Sequence, residues 1–189
     1  GLTSIGNSAF EACKLRSLPL PESLKYIESN AFNRNPYLTR VHIPQNVEYL
    51  GRTQNKTAGG YYLGDVSYNP FCDCDGIEEF TVDPENKYFS SIDGVIFNKA
   101  GSVLVAYPSA KAETYTVPVG VRVLERYAFK NHDALDSYDD KTGVLKSVIL
   151  QEGLQEIRAY SLHHKGLQSV TIPDTVTKIE ANAFPCADC

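Results

Sequence analysis

An apolar residue, a second one three positions on, and a large hydrophobic residue five positions later recur along the chain. Leu24, Ile27 and Phe32 set the pattern, and Val121/Leu124/Phe129, Leu154/Ile157/Leu162 and Val176/Ile179/Phe184 repeat it. Ile5 and Phe10 are the remainder of a copy cut by the start of the chain, while Val47 and Leu50 open one whose aromatic comes late, at Phe71. An apolar triplet follows each aromatic: Leu15/Leu18/Leu20, Leu38/Val41/Ile43, Ile77/Phe80/Val82, Leu145/Val148/Leu150 and Leu167/Val170/Ile172. The last two members of each triplet are two apart, the period of a strand with one buried face. Pro21, Pro44 and Pro173 then end such strands, since proline has no N–H to give to a ladder.

Uninterrupted spacings are even: Phe10 to Phe32 is 22 residues, Gln151 to Pro173 is 22, and Pro21 to Pro44 is 23. A period of about 20–29 residues with one strand per turn is that of a leucine-rich repeat solenoid. One such unit cannot bury its apolar face alone, so successive units must stack and share a continuous core. The pattern predicts a β-rich right-handed superhelix forming a single domain over 1–189, with about six to seven repeats. Short parallel strands should line one face. A second set of shorter strands is expected at Tyr26–Ile27, Tyr49–Leu50, Val123–Leu124, Glu156–Ile157 and Lys178–Ile179, and single helical turns are expected around the Ala-Phe segments. The first repeat starts in mid-unit at Leu2, so the natural stack is expected to extend further toward the N-terminus.

Two stretches break the period, an insertion over 51–68 and another over 136–144. Insertions in stacked repeats emerge as loops, often on the binding side. The first carries Tyr61, Tyr62 and Tyr68, and tyrosine offers a flat contact with a polar tip, suited to protein or sugar. The same tyrosines could instead fold back and shield the edge of the stack. On the strand face, Arg40, His42, Glu79, Thr81, Ser147, Ile149, Ser169 and Thr171 should point outward. They are mixed and weakly charged, a surface able to take a polypeptide or glycan without strong electrostatic preference.

The run Ile172–Pro173, Val176, Ile179, Ala183–Phe184, echoed earlier at Ile5–Gly6, Ala9–Phe10 and Cys13, resembles the BspA-like leucine-rich repeat surface proteins. So does the segment 83–108, with Asp83-Pro84-Glu85-Asn86 and the run from Ser91 to Phe97, which is similar to that family's irregular hairpin repeat. The resemblance implies an inserted β-hairpin in place of one Ala-Phe turn and an extracellular or cell-surface location, on a bacterial or protist surface. It also implies a role in adhesion, with no shared catalytic residues. The expected function is a non-catalytic, secreted or surface-anchored module binding a host or neighbouring-cell protein. A carbohydrate-binding module using the tyrosine-bearing loop is the alternative, and a structural spacer a further one.

Composition narrows this further. Lys and Arg number 18 against 23 Asp and Glu, a net charge of −5, which removes the broad basic surface a nucleic-acid partner needs. No run of about 18 apolar residues is present to span a membrane, and no charged-then-apolar leader opens the chain, so a signal or anchor would lie outside this sequence. Of five cysteines, Cys13 and Cys74 each follow a repeat aromatic by three, a slot that Asn35 and His132 fill elsewhere. That regularity favours a structural role. Cys72 and Cys74 are two apart, and Cys186 and Cys189 have the spacing of a redox or zinc half-site or of a local disulfide. His163-His164 lacks a partner spacing for zinc, the aspartates around Asp136 lack that of a calcium loop, and no nucleophile elbow is present. No catalytic group, metal or cofactor is expected.

Overall fold

The computed structural model describes residues 1–51, 68–130, 144–164 and 166–184. Among them are fourteen strands, none longer than four residues. They are β1 (Ser4–Ile5), β2 (Tyr26–Ile27), β3 (Arg40–Ile43), β4 (Tyr49–Leu50), β5 (Glu79–Val82), β6 (Phe89–Ile92) and β7 (Val95–Asn98), then β8 (Val103–Ala106), β9 (Thr114–Thr116), β10 (Val123–Leu124), β11 (Ser147–Ile149), β12 (Glu156–Ile157), β13 (Ser169–Thr171) and β14 (Lys178–Ile179).

Equivalent positions of successive repeats pair in parallel. Ile5 aligns with Ile27 and Ile27 with Leu50, Leu124 with Ile157 and Ile157 with Ile179. The five expected short strands occur at the expected residues. The longer strands pair in the same way, β3 with β5 and β9–β11–β13 in a row. Leu18 and Leu20, by contrast, form no strand. Pro19 stands between them and removes the N–H a ladder would use, so the alternation there is not enough.

The core is a stack of equivalent side chains. Phe10, Phe32 and Phe71 lie ring on ring, with centroids 5.6 and 5.5 Å apart. Phe71 therefore takes the repeat slot in spite of the insertion that delays it. Between the aromatics, the side chains of Leu24, Ile27, Leu104, Leu124 and Ile157 are wholly buried. Asn35, also wholly buried, ties turns together: its Nδ2 donates to the carbonyls of Phe10 (2.8 Å) and Phe32 (2.6 Å), and its Oδ1 accepts from the Leu15 N–H (3.0 Å).

The Ala-Phe segments are hydrogen-bonded turns, and no helix occurs among the described residues. The cause is local. The residue before the small one in the turn has a positive φ in Ser8 (54°), Asn30 (56°), Tyr127 (59°), Tyr160 (58°) and Asn182 (56°). A left-handed residue at that point interrupts any helical run.

The irregular repeat contains more than a hairpin. β6 and β7 are antiparallel, joined by Asp93-Gly94 with φ of 47° and 72°, the two positive values of the tight turn that an Asp-Gly pair favours. β7 pairs antiparallel with β8, and β8 then runs parallel to β10. Val95, Ile96 and Phe97 are all wholly buried. Ile96 joins the core of Ile5, Phe32 and Phe80, while Val95 and Phe97 join that of Leu124, Phe129 and Ile157. β7 is thus a shared wall between two halves. Neither set of parallel strands crosses it: β1–β2–β4 and β3–β5 stop on one side, and β8–β10–β12–β14 and β9–β11–β13 begin on the other.

Candidate binding surfaces

Alternation along β3 and β5 sends Val41, Ile43 and Phe80 inward and leaves Arg40, His42, Glu79 and Thr81 outward. The parallel register sets Arg40 beside Glu79 and His42 beside Thr81. Arg40 Nε lies 3.1 Å from Glu79 Oε1, and His42 Nδ1 lies 3.0 Å from Thr81 Oγ1. These four predicted residues therefore form two neighbouring cross-strand pairs. Next to them, the Asp93-Gly94 tip reaches the same face. The Phe80 N–H donates to the Gly94 carbonyl (2.8 Å), and Lys111 Nζ pairs with Asp93 at 3.2 Å. Beyond the tip, β9, β11 and β13 align Thr114, Ser147 and Ser169 in one rung and Thr116, Ile149 and Thr171 in the next. The exposed Ile149 is flanked by the two threonines.

Tyr68 does not join this surface. Its ring lies 4.3 Å from that of Tyr127, which stacks at 4.9 Å on Tyr160. Its N–H donates to Ser29 Oγ (3.1 Å), and a side chain on Gly51 would collide with its carbonyl. The two ends of the first insertion thus meet. Tyr61 and Tyr62 lie outside the described residues, as do Cys186, Cys189, His132 and Asp136.

A groove of about 550 Å³ opens on the side of the short strands, between β4 and the sheet edge at β6. Val103, Val105, Phe89 and Tyr49 are among the residues that line it. Along it also runs a chain of ion pairs: Arg158 with Glu125 (2.7 Å) and Glu156 (3.5 Å), Lys178 with Glu156 (2.6 Å) and Glu180 (3.0 Å), and Arg126 with Glu180 (3.2 Å). Burial opposes ionisation of Glu180, but the Ala159 N–H, Lys178 and Arg126 hold its carboxyl down at about 2. Periodicity alone did not reveal this site. It arises where the irregular repeat interrupts the short-strand sheet.

The buried polar groups are structural. Cys74 Sγ donates to the Phe32 carbonyl (3.1 Å), and burial pushes its thiol well above the ordinary range, which makes it a poor nucleophile. His164 is wholly buried, its Nδ1 accepts from the Gly166 N–H (3.1 Å), and burial lowers its pKa to about 4. The folded state keeps this ring neutral while the unfolded chain protonates it near the ordinary value of about 6.5. Its contribution is therefore intact above that value and falls away as pH drops from there toward 4. Glu180 contributes in the same sense over a lower window: its share is intact above about 4.5 and is lost only as pH falls further toward 2. Between pH 8 and 5 the His164 effect is expected to remove about 2 kcal/mol. A His164→Asn variant, which keeps an acceptor for Gly166, should flatten this loss; an unchanged pH profile in urea unfolding would disprove the assignment.

The profile of the BspA type leucine rich repeat region matches residues 1–55 and 105–189 in six copies, leaving out 56–104, which hold most of the first insertion, β5 and most of the irregular repeat. No curated protein matches the chain. Among solved structures, a leucine rich cell surface protein from Faecalibacterium prausnitzii A2-165 is similar at 22% identity with a TM-score of 0.68, over 98% of this chain and 49% of that one. The pneumococcal vaccine antigen PcpA is similar at 22% identity with a TM-score of 0.61, over 97% and 51%. A leucine-rich repeat protein from Bacteroides ovatus ATCC 8483 matches at 18% identity with a TM-score of 0.50, over 95% and 37%. At these identities the likeness is one of fold, and the chain spans about half the length of the first two. With the profile covering well over half of its residues and the repeats paired in parallel register, the chain belongs to the BspA-type leucine-rich repeat family.

Proposed function

We propose that the chain is a non-catalytic binding module of a secreted or surface-exposed protein and holds a protein partner on its long-strand face. The observation that carries this reading is the exposed pairing of Arg40 with Glu79 and His42 with Thr81 across the parallel strands β3 and β5. Side chains held at fixed spacing by paired strands present their polar groups without ordering any backbone on binding. A leucine rich cell surface protein among the fold neighbours supports the location. The reading takes 1–189 as one domain, the two half-cores joined through β7, with coils of about 22 residues wound right-handed as parallel crossovers are.

Arg40 and Glu79 are largely exposed, so their pair adds only a few tenths of a kcal/mol to stability. An Arg40→Ala/His42→Ala double variant is therefore expected to keep its melting temperature while losing about tenfold or more in affinity for a captured host or neighbouring-cell surface protein. Surface plasmon resonance with both forms checks this. Equal binding by the double variant would move the site elsewhere.

A further inference from the structure

The groove beside β4 carries a second inference, independent of the strand face. We infer that it is a binding site for a neutral oligosaccharide.

The first argument is charge. Four carboxylates line the groove, those of Glu48, Glu125, Glu156 and Glu180. Three cations line it as well, Arg126, Arg158 and Lys178, in the pairs given above, and Lys25, which stands outside the lining, pairs with Glu48 at 3.5 Å. Among the described residues each of the four carboxylates is thus paired with a cation, which leaves little net attraction for an anionic or cationic ligand. The lining does offer fixed donors and acceptors side by side. A carboxylate has about four acceptor positions, and Glu156 spends some of its own on Lys178 and Arg158. A sugar hydroxyl both donates and accepts, so it can bond to a carboxylate and a neighbouring guanidinium at once without disturbing their balance.

The second argument is the ring. Tyr49 is 37% exposed and stacks at 5.1 Å and 10° on Tyr26, which covers one of its faces. Among the described residues no second ring stacks on Tyr49, which lines the groove together with the apolar Val103, Val105 and Phe89. An aromatic plane and apolar surface, together with a bank of polar groups, match the two chemistries of a pyranose: its C–H face and its hydroxyl rim. The short parallel strands set this bank rigidly, since Glu156 and Lys178 are register partners on β12 and β14.

The test is calorimetric titration of the chain with cellohexaose, maltohexaose, xylohexaose, mannohexaose and chitohexaose, with a heparin hexasaccharide as the charged comparison. At least one neutral probe is expected to bind, with an affinity that changes by no more than about twofold between low salt and about 0.5 M salt. Tyr49→Ala and Glu156→Gln should each weaken it about tenfold or more, while Tyr49→Phe, which keeps the ring, should retain most of it. Circular dichroism on each variant checks that it is folded. The proposal is overturned if no neutral probe binds, if binding survives both Tyr49→Ala and Glu156→Gln, or if only heparin binds with a steep loss in salt. Binding that persists in the Arg40→Ala/His42→Ala variant separates this site from the strand face, so the two readings fail independently.

Discussion

Phe32→Ala is expected to lower the free energy of unfolding by about 3–5 kcal/mol, a large share of the stability of a domain of this size. The ring is wholly buried and sandwiched, 5.6 Å from Phe10 and 5.5 Å from Phe71, with interplanar angles of 11° and 6°. Truncation removes both contacts and leaves a cavity that neighbours in three successive repeats cannot close together. Phe10 is the comparison. It is 40% exposed and stacked on one side only, so Phe10→Ala should cost roughly 1 kcal/mol. Urea denaturation of both variants reads the difference. Equal costs would mean that the aromatic stack does not bind the repeats together.

Asn86→Ala should be nearly as severe, at about 3 kcal/mol or more. Asn86 is wholly buried and uses its whole side-chain amide. Nδ2 donates to the carbonyls of Pro44 (2.9 Å) and Val47 (3.0 Å), and Oδ1 accepts from the N–H groups of Tyr88 and Phe89, both at 2.8 Å. The first two bonds hold the preceding repeat and the last two start β6, so one residue fastens the irregular unit to its neighbour. Alanine would take these partners from the Val47 carbonyl and the Tyr88 and Phe89 N–H groups, while the Pro44 carbonyl would keep only the Val47 N–H (3.3 Å). Asn46, whose Nδ2 makes one exposed bond to the Glu22 carbonyl (2.8 Å), is the control. Thermal unfolding should fall steeply for Asn86→Ala and hardly for Asn46→Ala; similar shifts would refute the role.

Periodicity made the regular part of this fold readable because each repeat must present the same side chain to the same slot. Phe71 could be assigned across an insertion, and Glu156–Ile157 could be recognised as a strand in spite of its charged member, since only one of two alternating positions need be apolar. β9 was not anticipated. Tyr115 occupies the slot that Val148 and Val170 fill, and the signal was the Tyr-Thr-Val-Pro run ending at Pro118, with an aromatic where the other copies have a branched aliphatic. The left-handed turn residues were equally hidden, for Ser, Asn and Tyr share no side-chain chemistry and it is the stack that fixes their φ. Pairing of Arg40 with Glu79 and His42 with Thr81 followed from alternation plus one parallel register. The groove did not, because it depends on where two sheets fail to meet, which is a property of the hairpin's path through the core.

That path also determines how the molecule carries load. Elsewhere among the described residues, neighbouring coils are tied by backbone bonds in one or both sets of parallel strands. At β7 both sets are interrupted in the same coil, and the halves are joined by packing around Val95, Ile96 and Phe97 and by isolated bonds such as Ala110 N–H to the Ile77 carbonyl (2.8 Å). Among the described residues, a pull along the stack therefore meets no parallel ladder at this seam, and extension is expected to start at the hairpin.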